Sequence, residues 1–184
     1  MQKMSKWVVL SLMLAGGAAA SGALQNASFE QPEDPANVQS DKALGWGRWG
    51  HWINRETGWS PTRSGNCLIG YHHWQIDQKD DSGLYQDVED VPANSDCTFR
   101  VYGLCDEGTN IKNIELRIEP MGGGPKLAST SYSASHLAPG QWTALAVSAK
   151  TLQQGVRVLI IVTPSDGSTR TGAVKLDDAE LVVN

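Results

Sequence analysis

Strict alternation of apolar and polar residues is the feature that most constrains the fold of this chain. Residues 113–120 read Asn-Ile-Glu-Leu-Arg-Ile-Glu-Pro, so apolar and charged side chains point to opposite faces of one strand. The segment from Val156 to Val162 is nearly continuous in apolar residues, which is typical of a central strand covered on both faces. Turn residues at 92–95, 121–125, 138–140 and 165–167 separate such segments. The pattern predicts an all-β fold, a two-sheet antiparallel β-sandwich or jelly roll.

The N-terminus has the three-part plan of a secretory signal peptide. Lys3 and Lys6 precede an apolar run and then small residues, and the run is shorter than the roughly 18 to 20 residues that cross a bilayer. We expect cleavage after Ala23, with Ala20 as the alternative site. The prediction is a signal peptide over 1–23 and one domain over 24–184, secreted into a periplasmic or extracellular compartment.

Charge and motifs exclude several classes of function. The chain carries 15 basic and 20 acidic residues, a formal net charge of −5, whereas nucleic-acid binders of this size need a basic excess to neutralise phosphates. A nucleophile elbow, a His-Glu-x-x-His motif and a phosphate-binding glycine loop are all missing from the sequence. The sequence therefore predicts a protein that is not an enzyme, although two carboxylates among the 20 would suffice for a glycosidase.

Export makes disulfides possible, and the chain has three cysteines, Cys67, Cys97 and Cys105. The last two lie in one alternating segment, where strand geometry holds their Cα atoms beyond the bonding limit of roughly 7 Å. A bridge would therefore use Cys67. The alternative is three buried thiols, because free cysteine is among the most buried residue types.

The last strand contains a change of parity. Val174 and Leu176 are apolar residues at even-numbered positions, whereas Ala179, Leu181 and Val183 stand at odd-numbered ones. The change falls at Asp177-Asp178. A one-residue switch inside a strand is what a β-bulge produces. We therefore predict a bulge at these two carboxylates.

Five of the seven tryptophans lie between positions 46 and 74. An indole offers a flat apolar face for the C–H face of a sugar ring, and one N–H that seeks a partner. Gly140-Gln141 and the alternating aliphatic residues beside it assign Trp142 to the core. The predicted ligand-binding residues are Trp49, Trp52, Trp59, Trp74, Arg55 and His72. Adjacent histidines on a strand point to opposite faces, so His72 and His73 do not predict a transition-metal site.

Six segments in order resemble one family. They are Leu24–Glu30, Gly45-Trp46, Ser64–Leu68, Leu84–Val88, Gly140–Trp142 and Lys175–Leu181. Together they resemble the galactose-binding-like jelly roll, especially carbohydrate-binding modules of the family four, nine and twenty-two type. The resemblance implies that the opening segment and the Asp-Asp strand lie side by side and hold a structural calcium ion (Ca2+). By position, its ligands would be Glu30, Asp177 and Asp178, and calcium requires six to eight oxygen ligands. The resemblance also places Trp46, after Gly45, in the core.

The resemblance also implies a function. The expected protein is a secreted, non-catalytic carbohydrate-binding module that binds a glycan or polysaccharide by aromatic stacking and polar edge contacts. Two alternatives stay open, because one fold can host many functions. They are an extracellular protein-interaction or adhesion module on the same fold and a small polysaccharide lyase or glycosidase.

Overall fold

The computed structural model describes residues 20–22, 24–72, 80–166 and 171–184. Most of the predicted signal peptide therefore lies outside the described residues. The strands are β1 (Ala20–Gly22), β2 (Gly47–Trp49), β3 (Ile53–Thr57), β4 (Cys67–His72), β5 (Ser82–Val88), β6 (Asp96–Cys105), β7 (Asn113–Pro120), β8 (Ala128–Tyr132), β9 (Thr143–Lys150), β10 (Val156–Thr163) and β11 (Ala173–Val183). A 3-10 turn spans Ala134–His136. No helix in the described part of the chain is long and apolar enough to span a membrane.

The strands form two antiparallel sheets. Sheet I has the order β3-β4-β11-β6-β9, with β1 paired to the end of β11, and sheet II has the order β2-β5-β10-β7-β8. The inner faces of both sheets contribute to one hydrophobic core, as sheet-on-sheet packing requires. The predicted all-β, two-sheet antiparallel sandwich is confirmed.

Alternation places the core where the sequence predicts it. On β7, Ile114, Leu116 and Ile118 are fully buried, while the charged residues between them face outward. Strand β10 lies between β5 and β7, and its outward residues Leu159 and Ile161 are still only 7% and 3% exposed. This confirms β10 as a central strand covered on both faces.

The bulge predicted in the last strand is present. The register between β11 and β6 shifts between Asp177 and Glu180, and Asp178 has a φ of 48°, in the left-handed region that few non-glycine residues adopt. Beyond the bulge, the Ala179 amide donates to the Ala27 carbonyl at 2.8 Å. The opening segment therefore lies beside the Asp-Asp strand, as the resemblance implies.

All three cysteines are buried and free. Of the two alternatives that the sequence leaves open, a bridge through Cys67 and three buried thiols, the structure has the second. Burial, with a smaller effect of the neighbouring Asp106 carboxylate, raises the pKa of Cys105 to about 12. This side chain is therefore a neutral thiol at physiological pH. Burial also raises the pKa of Cys67 and of Cys97.

The two tryptophans assigned to the core differ. Trp46 is 4% exposed, and its indole N–H donates to the Gln25 carbonyl at 3.1 Å, so its assignment is confirmed. The assignment of Trp142 is wrong. It lies one residue before β9 begins and is half-buried outside the hydrophobic core. Because Trp142 is not part of the strand, the alternation of β9 does not set the direction of its side chain.

Candidate functional site

The tryptophan-rich segment does not form one cluster. Strand β2 pairs with β5 in sheet II, whereas β3 pairs with β4 in sheet I. The chain crosses between the sheets at Gly50–Trp52, where Gly50 and Trp52 have positive φ angles of 75° and 62°. Trp49 therefore lies on the outer face of sheet II, and Trp59 lies on the outer face of sheet I.

Two aromatic rings on sheet II each lie across a glycine of the neighbouring strand. A Cβ atom on Gly83 would come within 2.1 Å of the Trp49 indole, and one on Gly47 would come within 2.2 Å of the Tyr85 ring. The two ring centroids are 6.4 Å apart with planes inclined by 37°. The Trp49 N–H donates to the Asp81 carboxylate at 3.0 Å. The rings therefore form an oriented, half-buried aromatic surface.

An arginine and a carboxylate continue this surface along β5 and β10. The Arg157 guanidinium lies 4.4 Å from the centroid of the Tyr85 ring, within the range of a cation–π contact. It donates to both carboxylate oxygens of Asp87, at 2.9 and 2.7 Å. This hydrogen-bonded pairing lowers the pKa of the Asp87 carboxyl, so the pair stays ionised and fixed in direction at neutral pH.

A second charged group lies on β7. Arg117 donates to Glu115 at 2.9 Å and to Glu119 at 3.2 Å. Burial by itself would raise the pKa of Glu115, but the hydrogen bond and charge of Arg117 outweigh it and lower this pKa. By register, Leu159 and Ile161 of β10 lie between this group and the Tyr85 and Gly83 positions. The outer face of sheet II thus combines an aromatic surface and fixed polar groups, which lie over the buried side chains of Leu159 and Ile161.

On sheet I the structure brings together three predicted ligand residues. The Trp59 and His72 rings have centroids 4.6 Å apart, and Trp52 lies 6.3 Å from His72. His72 Nε2 is 2.6 Å from a carboxylate oxygen of Glu56. Trp52 is 42% exposed and lines a pocket of about 220 Å³. Trp74 lies outside the described residues.

Arg55 corrects the sequence interpretation, because it points into the protein and is 5% exposed. Its guanidinium donates to the carbonyls of Phe29 at 2.9 Å, Glu30 at 2.7 Å and Val38 at 2.9 Å. It also contacts the sulfur of Cys67 at 3.0 Å. Arg55 therefore joins β3 to the segment before β2 and is not available to a ligand.

The predicted calcium ligands surround the segment before β4. Both carboxylate oxygens of Glu30 accept the Asn66 amide at 3.1 Å, and one also accepts the Cys67 amide at 3.0 Å. These amides come from a turn whose Gly65 leaves room for the Glu30 carboxylate. Glu30 is thus held by backbone donors.

Asp177 and Asp178 are held in the same way. Asp177 accepts the amides of Arg63 at 2.9 Å, Ser64 at 3.2 Å and Asp178 at 2.8 Å. Burial raises the pKa of Asp177 despite these donors. Asp178 accepts the Ser64 hydroxyl at 2.6 Å and the Arg63 guanidinium.

All six oxygens of these carboxylates therefore face N–H or O–H donors instead of an open cavity. No group of three or more His, Cys, Asp or Glu side chains in the described ranges is arranged to hold a metal ion. The residues as arranged do not fit a calcium ion, whose six to eight ligands must all be acceptors. Calcium binding itself stays a prediction.

The sequence patterns did not predict the other residues of the outer face of sheet II, which are Tyr85, Asp87, Arg157, Arg117 and Glu115. One signal was present. A glycine inside a strand weakens the strand and often marks a place where another group approaches the backbone closely. Gly47 and Gly83 lie inside strands at places where an aromatic ring does so.

Comparisons with known proteins identify the fold. No protein-family model matches the sequence, and no curated protein matches it. A solved family 61 carbohydrate-binding module in complex with β-1,4-galactotriose is 16% identical, with a TM-score of 0.60 over 86% of this chain and 95% of that one. The xylan-binding CBM22-1 domain of Xyn10C from Paenibacillus barcinonensis is 14% identical, with a TM-score of 0.56 over 92% and 97%. A cyclase from Fischerella sp. TAU is 16% identical, with a TM-score of 0.64 over 91% and 98%.

The chain therefore has the galactose-binding-like jelly-roll fold of carbohydrate-binding modules, as its sequence resemblance predicts. At these identities the likeness establishes the fold. The similar structures include such modules, and they also include a cyclase and an α-L-arabinofuranosidase, so the fold occurs in enzymes as well. Function therefore has to be argued from the site.

Proposed function

We propose that this protein is a secreted, non-catalytic carbohydrate-binding module whose glycan site is the outer face of sheet II. One observation carries the proposal: Trp49 and Tyr85 each lie across a glycine that leaves room for the ring. The arrangement exposes part of two rings beside fixed arginine–carboxylate pairs. Stacking on a sugar ring needs such a flat, oriented surface.

The polar groups on this face suit the edge of a sugar. The Arg157–Asp87 pair and the Arg117–Glu115 pair have defined hydrogen-bonding directions, and sugar hydroxyls can both donate and accept. Each arginine here is balanced by carboxylates. The face therefore favours a neutral glycan over a uronate-rich one.

The same pairs support binding without catalysis. A glycosidase needs one carboxylic acid with a raised pKa to protonate the leaving group. The pKa values of Asp87 and Glu115 are lowered by their arginine partners, so both are carboxylates at neutral pH. This electrostatic setting suits recognition.

The test is affinity electrophoresis and calorimetry with soluble β-1,4-galactan and soluble xylan. We expect the native protein to bind at least one of them and Trp49→Ala to weaken that binding at the sheet II face by tenfold or more, because the stacking surface is lost. Leu152→Ala is the control, since it removes a large apolar side chain that is 73% exposed in the turn between β9 and β10, away from both aromatic surfaces. Absence of binding to a broad glycan panel, or full affinity in Trp49→Ala at a sheet II site, would contradict the proposal.

A further inference from the structure

We propose that the outer face of sheet I carries a second, independent glycan site centred on Trp59, so that one chain can bind two polysaccharide strands. This inference rests on the proposed function, because the ligand class is the same. It adds a site that lies on the opposite side of the sandwich from Trp49. The evidence is a repeated packing arrangement, two polar pairs and a groove.

The first observation is that Trp59 is oriented in the same way as Trp49. Its indole lies across Gly70 of β4, where a Cβ atom would come within 2.6 Å of the ring and 2.7 Å of the Glu56 side chain. Gly70 pairs with Lys175 of β11 and stands between the inward residues Ile69 and Tyr71. The glycine thus seats an indole flat on the outer face of the sheet.

The second observation is that polar pairs lie on two sides of this indole. His72 Nε2 contacts Glu56 at 2.6 Å on one side. On the other side, the Lys175 ammonium lies 6.0 Å from the centroid of the Trp59 ring and donates to Asp106 at 2.9 Å. These groups offer donors and acceptors at the edge of a ring stacked on Trp59.

The third observation is a groove. Trp59 lines a pocket of about 210 Å³ together with Ser60, Asp106, Ala173 and Lys175. Asp106 also lines a neighbouring pocket of about 440 Å³, whose other walls come from 105–109 and 134–139. The larger pocket by itself lies within the roughly 300 to 1,000 Å³ of ordinary ligand sites. Asp106 lines both pockets, so they are neighbours beside Trp59.

The charges favour a neutral sugar here as well. Lys175 is paired with Asp106, and Glu56 is paired with His72, so these described side chains present no unbalanced cation to attract a uronate. Because the two outer faces point in opposite directions, one short oligosaccharide cannot occupy both sites. Two sites on one rigid domain raise avidity for long polymers and join separate strands.

The experiment compares native protein, Trp49→Ala, Trp59→Ala and the double variant. Calorimetry with β-1,4-galactotriose and with xylohexaose gives the number of sites. Light scattering with soluble β-1,4-galactan and xylan reports cross-linking of the polymer. We expect two sites and cross-linking for the native protein, one site without cross-linking for each single variant, and at least a hundredfold loss of affinity in the double variant. Each variant is checked for an unchanged melting profile.

A further variant, Gly70→Ala, keeps the indole and displaces it. It should act like Trp59→Ala on stoichiometry and cross-linking if the seated ring forms the site. A single site that Trp49→Ala removes completely would overturn the second site and leave the proposed function intact. Absence of binding by the native protein would overturn both.

Discussion

At the scale of single residues, three glycines determine where aromatic rings can lie. Gly47, Gly70 and Gly83 each occupy the point where a ring of a neighbouring segment crosses the strand. Glycine inside a strand costs stability, since it packs nothing and has a flexible unfolded state. The cost is consistent with a requirement for flat, oriented rings on both outer faces.

This requirement predicts the effect of Gly83→Ala. The new methyl group would fall within 2.1 Å of the Trp49 indole, so the ring must move off the strand. We expect galactan or xylan binding at sheet II to fall about as far as in Trp49→Ala, with a red-shifted tryptophan emission. Titration followed by fluorescence measures both.

A matched comparison is Gly47→Ala, which displaces Tyr85 and leaves Trp49 in place. It should weaken binding while changing tryptophan emission less. Unchanged affinity and emission in Gly83→Ala would show that the position of the indole does not matter.

At the scale of elements, buried polar groups hold loops to strands. Arg55 on β3 donates to carbonyls of the segment before β2, and Glu30 accepts amides of the turn before β4. Both interactions lie on the sheet I side of the sandwich. These hydrogen bonds order the loops together with the buried side chains of Phe29 and Ala43.

Arg55→Met should therefore destabilise the protein by about 3 kcal/mol or more, because it leaves several buried carbonyls without donors. Urea unfolding measures the difference. Arg100→Met is the control, since Arg100 forms an exposed pair with Glu180 that contributes under about 1 kcal/mol. A folded Arg55→Lys variant should keep native glycan affinity, and a large loss of affinity there would restore the ligand role that the sequence predicts.

The carboxylates at the bulge lead to a prediction about calcium. Because amides, a hydroxyl and Arg63 already face Glu30, Asp177 and Asp178, we expect the melting temperature to stay the same in excess chelator. Glu30→Gln should lower it, since the amide side chain cannot accept the same set of N–H groups. A fall of several degrees on chelation, reversed by added Ca2+, would establish a metal site.

At the scale of the whole molecule, two sheets present two opposite outer faces with balanced charges. The formal net charge is −5, and the arginines of sheet II and the lysine of sheet I are paired with carboxylates. The molecule as a whole therefore repels acidic polymers and has no field that attracts them.

We accordingly expect glycan affinity to change less than twofold between low and high salt, because a neutral ligand releases no counterions on binding. Calorimetry across a salt series measures this, with polygalacturonate as the acidic comparison, which should not bind. Strong binding of polygalacturonate that weakens in salt would contradict the neutral-glycan assignment.

Much of the fold follows from local pattern. The alternation of residues 113–120 predicts a half-buried strand, the run Val156–Val162 predicts the central strand, and the parity switch at Asp177 predicts the bulge. Such signals are readable because strand side chains alternate with a period of two regardless of distant partners. The core assignment of Trp142 was wrong because the strand whose alternation it relied on begins only at the next residue.

The sequence by itself determined the class of fold, several of the strands and the concentration of tryptophan between positions 46 and 74. Only the tertiary structure decided which sheet each tryptophan faces, since that depends on the crossing at Gly50–Trp52 and on pairing with strands far along the chain. It also decided that Arg55 points inward and that Tyr85 joins Trp49. These outcomes depend on contacts between distant segments, and local periodicity carries no information about them.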